Sequence, residues 1–190
     1  MKILIIDNYD SFTYNLVHDL ERIPEVQVDV VRNDQIDFEN LGAYDRFVIS
    51  PGPGLPHESG DLLKFIEEVE FSSKPILGVC LGLQAMVKHE GGELYNLGNV
   101  RHGTSMKMNI LTNAAEYTGL PTQQSVGLYH SWAALGSALP SCFEITAESE
   151  DGVIMSVAHK TKPWTAWQYH PESVLSEFGR EILRNWVEQF

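Results

Sequence analysis

The chain has 190 residues, of which 43% are apolar and 21% charged, so its composition is that of one globular domain over residues 1–190 and excludes disordered or fibrous proteins. Its net charge of −13 repels phosphate backbones and anionic lipids, and we therefore expect neither nucleic acid nor a membrane as a partner. Two cysteines cannot build a disulfide framework, and the N-terminal apolar run is too short for a signal peptide, so we expect a cytoplasmic protein with reduced thiols.

The first half of the chain alternates short apolar runs with segments of helical periodicity. The apolar runs predict strands at residues 3–6, 26–31, 47–50 and 75–79, and the periodic segments predict helices at 11–22, 61–71 and 81–89. Strands joined by helical crossovers form a parallel sheet that is covered on both faces.

The second half is richer in strands. Its pattern predicts strands at residues 106–111, 124–129, 143–148, 153–159 and 165–169, and a last helix at 177–189. The expected fold class is therefore α/β, a single-domain open twisted mixed sheet that is parallel in its centre and antiparallel at one side. Ligands bind such sheets at the carboxyl ends of the strands. Three connections fall there: residues 7–11, residues 51–54 and the turn at Cys80.

The turn at Cys80 carries the strongest chemical signal. A buried strand runs directly into a helix there, with Gly78 two residues before the cysteine and Gly82 two residues after it. Small neighbours permit the sharp turn of a nucleophile elbow, with sulfur in place of a hydroxyl. A helix N-terminus favours the reactive thiolate, and the backbone N–H of Leu81 would face an oxyanion formed on the attacked carbon. A buried, inert cysteine is the alternative interpretation.

A cysteine nucleophile needs a base and a group that orients the base. Six of the seven histidines have ordinary interpretations: on helices, in loops or at a strand end (His18 and His89; His57, His102 and His130; His159). His170 differs, because Pro171 favours an extended backbone in which residues 170 and 172 point to the same side. Glu172 can therefore hold the tautomer of His170, as the acidic member of a catalytic triad does.

Two further loops are candidates for binding. The run Pro51-Gly52-Pro53-Gly54 could supply an oxyanion donor and grip a substrate, or it could be a plain tight turn. It lacks the Gly-Lys-Ser/Thr of a phosphate-binding loop. Three acidic residues suggest either a metal-binding pocket or, as we interpret them, loop capping and solvation (Asp7, Asp10 and Asp34). No Cys or His spacing fits zinc, so we expect no metal site.

These motifs together resemble a known family. The sequences GVCLGLQ at 78–84 and HPE at 170–172 are similar to those of the class I (triad) glutamine amidotransferases, which have a flavodoxin-like core. The opening DNYDSFTYNL at 7–16, SPGPG at 50–54 and YHS at 129–131 resemble the small subunits, component II, of anthranilate synthase and aminodeoxychorismate (para-aminobenzoate) synthase. The resemblance covers the whole chain.

The resemblance implies that the chain hydrolyses L-glutamine to glutamate and ammonia, which passes to a large chorismate-binding synthase subunit in a hetero-oligomer. It implies no cofactor in this chain, whereas the partner synthase is expected to need Mg²⁺. A free-standing thiol hydrolase and a catalytically silent regulatory subunit are the alternative functions.

The resemblance also assigns roles to single residues. Cys80, His170 and Glu172 would be the triad, and the N–H groups of Gly52 and Leu81 the oxyanion hole. The positions that match the family's glutamine contacts are Gly52, Pro53, Gly54, Gln84, Ser131 and Trp132. The chain departs from the usual pattern at four positions, where the family commonly has His, Lys, Leu and Phe (Leu83, Thr104, Trp132 and Tyr169).

Overall fold

A computed structural model of the chain describes residues 1–189, and within that range nine strands form one sheet with helices on both faces. The strands are β1 (Lys2–Asp7), β2 (Gln27–Arg32), β3 (Arg46–Ile49), β4 (Ile76–Val79), β5 (Leu94–Ile110), β6 (Gln123–Ala134), β7 (Phe143–Ser149), β8 (Ile154–His159) and β9 (Trp164–Trp167). The α-helices are α1 (Thr13–Glu21), α2 (Leu62–Val69), α3 (Leu81–His89) and α4 (Gly179–Gln189). Short 3-10 segments lie in the connections.

The sheet is mixed, with strand order β2-β1-β3-β4-β9-β8-β7-β5-β6. All pairs from β2 to β9 are parallel, and all pairs from β9 to β6 are antiparallel. The predicted α/β class is confirmed, with the parallel strands forming one half of the sheet and the antiparallel strands the other.

Alternation along β1 shows how the sequence produces this layering. Ile3 and Ile5 face the core that includes α1 and α4, while Leu4 and Ile6 face the core that includes α2 and α3. Both faces are buried, which is why the strand reads as a continuous apolar run. Each fully buried side chain of this size stabilises the fold by roughly 1.5–3 kcal/mol relative to exposure. The expected apolar stripe of α2 is buried as well.

The hairpin of β5 and β6 differs from the prediction. β5 begins at Leu94, twelve residues before its predicted start, and β6 continues to Ala134. Half of residues 94–105 are polar and two are glycines, and the segment lies largely exposed near the sheet edge, so it lacks the alternation of a half-buried strand. His102 and His130 therefore lie on paired strands, and their prediction as loop residues was wrong.

The strand order determines which loops meet. β1, β3, β4 and β9 are consecutive parallel neighbours, so their carboxyl ends lie side by side at one edge of the sheet. The segments that follow them are residues 8–12, residues 50–54, Cys80 and residues 168–172. None of the helices within residues 1–189 combines the length and apolarity needed to cross a bilayer.

Candidate active site

Cys80 alone connects β4 to α3, and its backbone is strained. Its φ of 52° and ψ of −98° are values that L-residues rarely adopt. The turn is held from the next strand, because the Cys80 N–H donates to the carbonyl oxygen of Trp167 (2.6 Å). A Cβ on Gly78 would lie 2.7 Å from the Gly82 carbonyl carbon, and one on Gly82 would lie 2.8 Å from the Ile49 carbonyl oxygen. The two glycines are therefore required by close packing, as the elbow motif predicts.

His170 and Glu172 follow β9 and lie behind the cysteine. The Glu172 Oε1 atom is 2.6 Å from His170 Nδ1, and both side chains are almost completely buried. A β-bridge between His170 and Gly127 of β6 fixes the backbone of this segment. Since a carboxylate only accepts, Nδ1 carries the proton and Nε2 is left for chemistry. His170 Nε2 is buried without a hydrogen-bond partner of normal geometry among the described residues.

The charge of His170 follows from its neighbours. Burial alone would lower the pKa of this imidazole, but the Glu172 carboxylate and the nearby Cys80 side chain together raise the pKa well above its usual 6.5. The 2.6 Å contact to the buried Glu172 carboxylate supplies the direct charge partner that raises this pKa. His170 is therefore an imidazolium at neutral pH. A cation next to a cysteine stabilises the thiolate.

The cysteine opens into a cavity of about 170 Å³. Its lining residues are Gly52, Pro53, Gly54, Cys80, Gln84, Tyr129, His130, Ser131 and Trp132. All six positions expected to contact glutamine line this cavity together with the nucleophile. Cavities of about 350–370 Å³ lie elsewhere in the described residues, but none of these larger ones is lined by a cysteine. Proximity to Cys80 therefore identifies the site better than size does.

The loop at 50–54 is held against the elbow by Asn8, which follows β1. The Asn8 side chain donates to the Ser50 carbonyl oxygen (2.9 Å), and its N–H donates to the Ser50 hydroxyl (2.9 Å). A Cβ on Gly52 would lie 2.5 Å from Asn8 Cβ and 2.7 Å from Leu81 Cδ2. Only glycine brings this loop so close to the helix start.

Two backbone amides remain free beside the cysteine. In the part of the chain that the structure describes, neither Gly52 nor Leu81 donates its N–H to another protein group. Leu81 is the first residue of α3, so its amide belongs to the unsatisfied N–H groups of a helix N-terminus. Free amides so placed can stabilise negative charge that develops on a bound carbonyl oxygen.

The acidic residues at the ends of β1 and β2 make the contacts that loop capping requires. Asp7 pairs with Arg32 (2.8 Å) and accepts from the Thr13 hydroxyl (2.8 Å). Asp10 accepts from the Phe12 N–H (2.8 Å), and Asp34 accepts from the Tyr9 hydroxyl (2.9 Å). This supports the capping interpretation over a shared metal pocket.

Sequence reasoning missed several residues that surround the nucleophile. Gln168 is fully buried, and its amide nitrogen lies 3.5 Å from the Cys80 sulfur. Phe12 and Tyr129 pack on the His170 ring, with ring centroids 5.6 and 4.8 Å away. A polar residue at the end of a buried strand was an available signal for Gln168. The two aromatic contacts depend on pairing between distant segments, for which the sequence carried no local signal.

His130 is a neutral wall of the cavity. Burial lowers the pKa of this imidazole to about 4, and its Nδ1 lies 2.9 Å from the Trp132 carbonyl oxygen. Because a carbonyl can only accept, Nδ1 carries the proton. His130 lines the cavity beside Ser131 and Trp132.

Comparisons with known proteins agree with this geometry. The sequence profile of the family described as "Glutamine amidotransferase class-I" matches residues 4–190. The chain is 42% identical to "Anthranilate synthase component 2" of Pseudomonas aeruginosa, covering 98% of this chain and 95% of the relative. It is 40% identical to "Aminodeoxychorismate/anthranilate synthase component 2" of Bacillus subtilis, covering 99% and 96%. A crystal structure of a glutamine amidotransferase from Thermotoga maritima shares the fold, with a TM-score of 0.84 at 18% identity over 100% of this chain and 97% of that one.

Proposed function

The chain belongs to the class I glutamine amidotransferase family, and from this premise we propose that it is the glutaminase subunit of a chorismate-aminating synthase. It hydrolyses L-glutamine to glutamate and ammonia and delivers the ammonia to a large subunit that forms anthranilate or aminodeoxychorismate. The names of its relatives support this function, since both are component 2 of such synthases and align over almost their whole length.

One observation carries the assignment of the chemistry to particular residues. Cys80 lies at a strained strand-to-helix turn, with the buried His170–Glu172 pair behind it and a cavity in front. A nucleophile, a base and an orienting carboxylate thus converge on one space, which is the arrangement that acyl transfer through a thioester needs.

In the first half-reaction the Cys80 thiolate attacks the side-chain amide carbon of glutamine. The C–S bond forms as the carbonyl π electrons move to oxygen, and the N–H groups of Gly52 and Leu81 stabilise that oxyanion. His170 donates its Nε2 proton to the amide nitrogen, the C–N bond breaks and ammonia leaves. A glutamyl thioester remains on Cys80.

In the second half-reaction water attacks the thioester carbon. Neutral His170 accepts the water proton at Nε2, the C–S bond breaks and glutamate is released, which restores the thiolate and the imidazolium. Glu172 keeps the Nδ1 proton in place throughout, so that Nε2 always faces the reacting atoms. Gln84, Ser131 and Trp132, with Pro53 and Gly54 opposite, form the walls that hold the amino-acid end of glutamine.

Both half-reactions use only side chains and amides of this chain, so we propose no cofactor for it. Mg²⁺ is assigned to the chemistry of the partner, which binds chorismate. The released ammonia must cross to that partner before it meets bulk water, so the mouth of the cavity faces the large subunit in the complex.

The test is a Cys80→Ser variant assembled with the large subunit. Glutamine-dependent product formation is expected to fall by at least about 10³-fold, because a serine hydroxyl is far less nucleophilic than a thiolate under the same base. Ammonia-dependent formation of the same product by the partner is expected to be unchanged. Product identity is read by chromatography against anthranilate and aminodeoxychorismate.

Cys142→Ser is the matched control. Cys142 is half-buried at the C-terminal end of α3, where its sulfur contacts Glu90, and the variant is expected to keep full activity. Full glutamine-dependent turnover in Cys80→Ser would contradict the triad. Glutamine-independent hydrolysis of other amides by the wild-type chain alone would instead favour a free-standing thiol hydrolase.

A further inference from the structure

Gln168 is a buried polar side chain that the proposed mechanism does not use. It is fully buried at the end of β9, between Trp167 and Tyr169, both of which are also fully buried. Its backbone N–H donates to the Met155 carbonyl oxygen of β8 (2.8 Å), which fixes the main chain. A buried amide costs free energy unless its polar atoms are paired, so its contacts require an explanation.

The orientation of this amide follows from a chain of contacts that ends at a main-chain carbonyl. Gln84 Nε2 lies 2.9 Å from the Trp132 carbonyl oxygen and 3.4 Å from Gln168 Oε1. Since a carbonyl only accepts, the Gln84 atom facing it must be nitrogen. The Gln168 atom facing that nitrogen must then be oxygen, and the Gln168 NH₂ must face the Cys80 sulfur at 3.5 Å.

We propose that Gln168 is a positioning residue for the nucleophile: its amide donates a hydrogen bond to the Cys80 sulfur and holds the sulfur in the attacking orientation. This inference rests on the proposed function, since it concerns the same cysteine. The amide of Gln168 and the imidazolium of His170 both interact with the Cys80 side chain. Hydrogen bonds to charged groups are stronger than those between neutral groups.

The same contacts link the nucleophile to the substrate walls. Trp132 lines the cavity, its carbonyl oxygen fixes Gln84, and Gln84 fixes Gln168. A shift of the 131–132 wall therefore reaches Cys80 through two side-chain amides. This network makes the orientation of the sulfur depend on the geometry of the binding wall.

The titratable side chains around the Cys80 sulfur determine which measurement reports on Gln168 alone. His170, backed by Glu172, comes from the segment after β9, and neutral His130 lines the same cavity from β6. α3 and the 50–54 loop add no charged side chain to the cavity lining. Replacing Gln168 removes a hydrogen-bond donor to the sulfur but leaves every charged side chain in place. A change in the reactivity of Cys80 would therefore report the loss of this donor.

The experiment compares wild type with Gln168→Met, which keeps side-chain length and removes the donor. The pseudo-first-order rate of iodoacetamide alkylation is measured against pH for the full chain, with the Cys80 peptide quantified by mass spectrometry to separate it from Cys142. The midpoint of this profile is expected to move up by about one pH unit, as a roughly tenfold loss of thiolate stabilisation requires. In the assembled complex, glutamine-dependent kcat is expected to fall about 10- to 100-fold with KM changed less than threefold.

Gln124→Met is the matched control. Gln124 is also a fully buried glutamine of the sheet, but its amide donates to the Pro121 carbonyl oxygen (2.9 Å), and it is not among the residues that line the cavity. Its alkylation profile is expected to match wild type. An unmoved profile in Gln168→Met, or the same shift in both variants, would overturn the proposal.

Gln168→Glu keeps the inference testable if the methionine variant fails to fold, because it has the same size and shape. An ionised carboxylate can only accept and repels a thiolate, so the midpoint is expected to rise further than in Gln168→Met. A wild-type profile would overturn the proposal. The alkylation assay needs neither glutamine nor the partner, so it tests the role of Gln168 by itself. The proposed function would instead be refuted if the wild-type complex showed no glutamine-dependent amination. The two failures are therefore distinguishable.

Discussion

At the scale of single residues, the strained backbone of Cys80 lowers the stability of the fold. Its φ of 52° and ψ of −98° are the mirror image of a common extended conformation, which glycine adopts freely and L-residues do not. Backbone strain of this kind costs of order 1–3 kcal/mol, and here it is maintained by the Trp167 hydrogen bond and the packing of Gly78 on Gly82.

This strain predicts an inverted order of stability at position 80. Cys80→Gly is expected to be more stable than Cys80→Ala by about 1 kcal/mol, although glycine is normally the less stable of the two, because only alanine keeps the strained Cβ. Urea denaturation of the two variants measures the difference. An alanine variant as stable as the glycine variant, or more so, would show that the turn is unstrained.

Glu172 predicts a pH dependence. Burial lowers the pKa of His170, whereas the Glu172 carboxylate and the Cys80 side chain raise it. Glu172→Gln removes one of these two raising groups, so the pKa of the imidazole is expected to fall from its wild-type value. Glutamine-dependent kcat should fall about 100-fold or more, since the carboxylate that fixes the tautomer and favours the charged imidazole is lost. The His170 ring proton, followed by NMR, should titrate lower in the variant than in wild type, where it titrates well above its usual range.

Glu172→Gln should also change how the free energy of unfolding depends on pH. The pKa of His170 is raised in the folded state, so its contribution is fully present below the usual 6.5 and is lost as pH rises through the raised value. The gap in unfolding free energy between wild type and Glu172→Gln should therefore be largest at mildly acidic pH and shrink in alkaline solution. A gap that grows with pH would contradict a protonated His170.

How much of the site could be predicted depended on how local each signal was. Gly78, Cys80 and Gly82 lie within five residues, and His170 and Glu172 within three, so short-range geometry was enough to suggest their roles. Gln168 touches Cys80 across 88 positions of sequence, and nothing near it in sequence specifies that partner. Contacts of this kind are created by the pairing of β4 with β9, which only the assembled sheet provides.

At the scale of elements, one lysine joins the ends of two helices. Lys162 Nζ lies 2.9 Å from Glu70, just after α2, and 2.6 Å from Glu90, just after α3, and it covers the ring of Trp164 at 4.3 Å. The hydrogen bond from Lys162 is the main cause of the lowered pKa of Glu70. The lysine therefore holds both helix ends against the start of β9.

Lys162→Met should destabilise the fold by about 1 kcal/mol, or about 2–4 °C in melting temperature, because two carboxylates lose their shared cation at a partly exposed site. The lowered pKa of Glu70 makes this contribution present above about pH 4.5 and lost as pH falls through the folded value. Melting curves at pH 7 and pH 3 measure it. Lys160→Met, which loses only a contact to the Ser141 carbonyl, is the control, and an equal loss in both would contradict the bridge.

The groups around Lys162 also have the composition of a metal site, since Glu90, Cys142 and His159 lie within ligand distance of one another. The contacts of His159 argue for an ion-pair network instead. Its Nδ1 accepts from the backbone N–H groups of Thr161 (3.2 Å) and Lys162 (2.9 Å), so Nε2, the atom facing Glu90, keeps the proton. The Lys162 ammonium already lies between Glu70 and Glu90 and offsets one of their two negative charges.

The predicted bounds of helices and strands were accurate where burial produces a clear pattern of apolar residues, and inaccurate where it does not. α3 was predicted with its observed bounds, and β1 to within one residue at each end, because both have a clear buried pattern. The first half of β5 was missed, since residues 94–105 pair with β6 near the sheet edge with little burial. Pairing there is a property of the hairpin and leaves almost no hydrophobic pattern in the sequence.

At the scale of the whole molecule, the two halves of the sheet have different tasks. The parallel half places the carboxyl ends of β1, β3, β4 and β9 side by side and so brings together Cys80, His170 and the 50–54 loop. The antiparallel half extends β6 over the same edge and supplies the wall at 129–132. The site therefore lies where the two halves meet, and its mouth opens at one edge of the molecule.

Exposed apolar residues at that edge predict where the proposed large subunit would dock. Val174 is 99% exposed four residues after His170, and Tyr9, in the loop after β1, is 51% exposed. A fully exposed valine beside the His170–Glu172 pair is what a partner-covered surface would leave on the separated subunit. Val174→Asp is therefore expected to raise the Kd for the large subunit at least about tenfold, since a charge would be desolvated on docking.

Phe71→Asp is the matched control for this last prediction. Phe71 is 91% exposed beyond the end of α2, at the opposite edge of the sheet, and its replacement changes the net charge by the same single unit. Affinity is measured by titrating labelled large subunit, and glutamine-dependent turnover at saturating partner should be preserved in both variants. If both substitutions weakened binding equally, net charge alone would explain the loss; if Val174→Asp bound like wild type, the partner would have to reach the ammonia by another face.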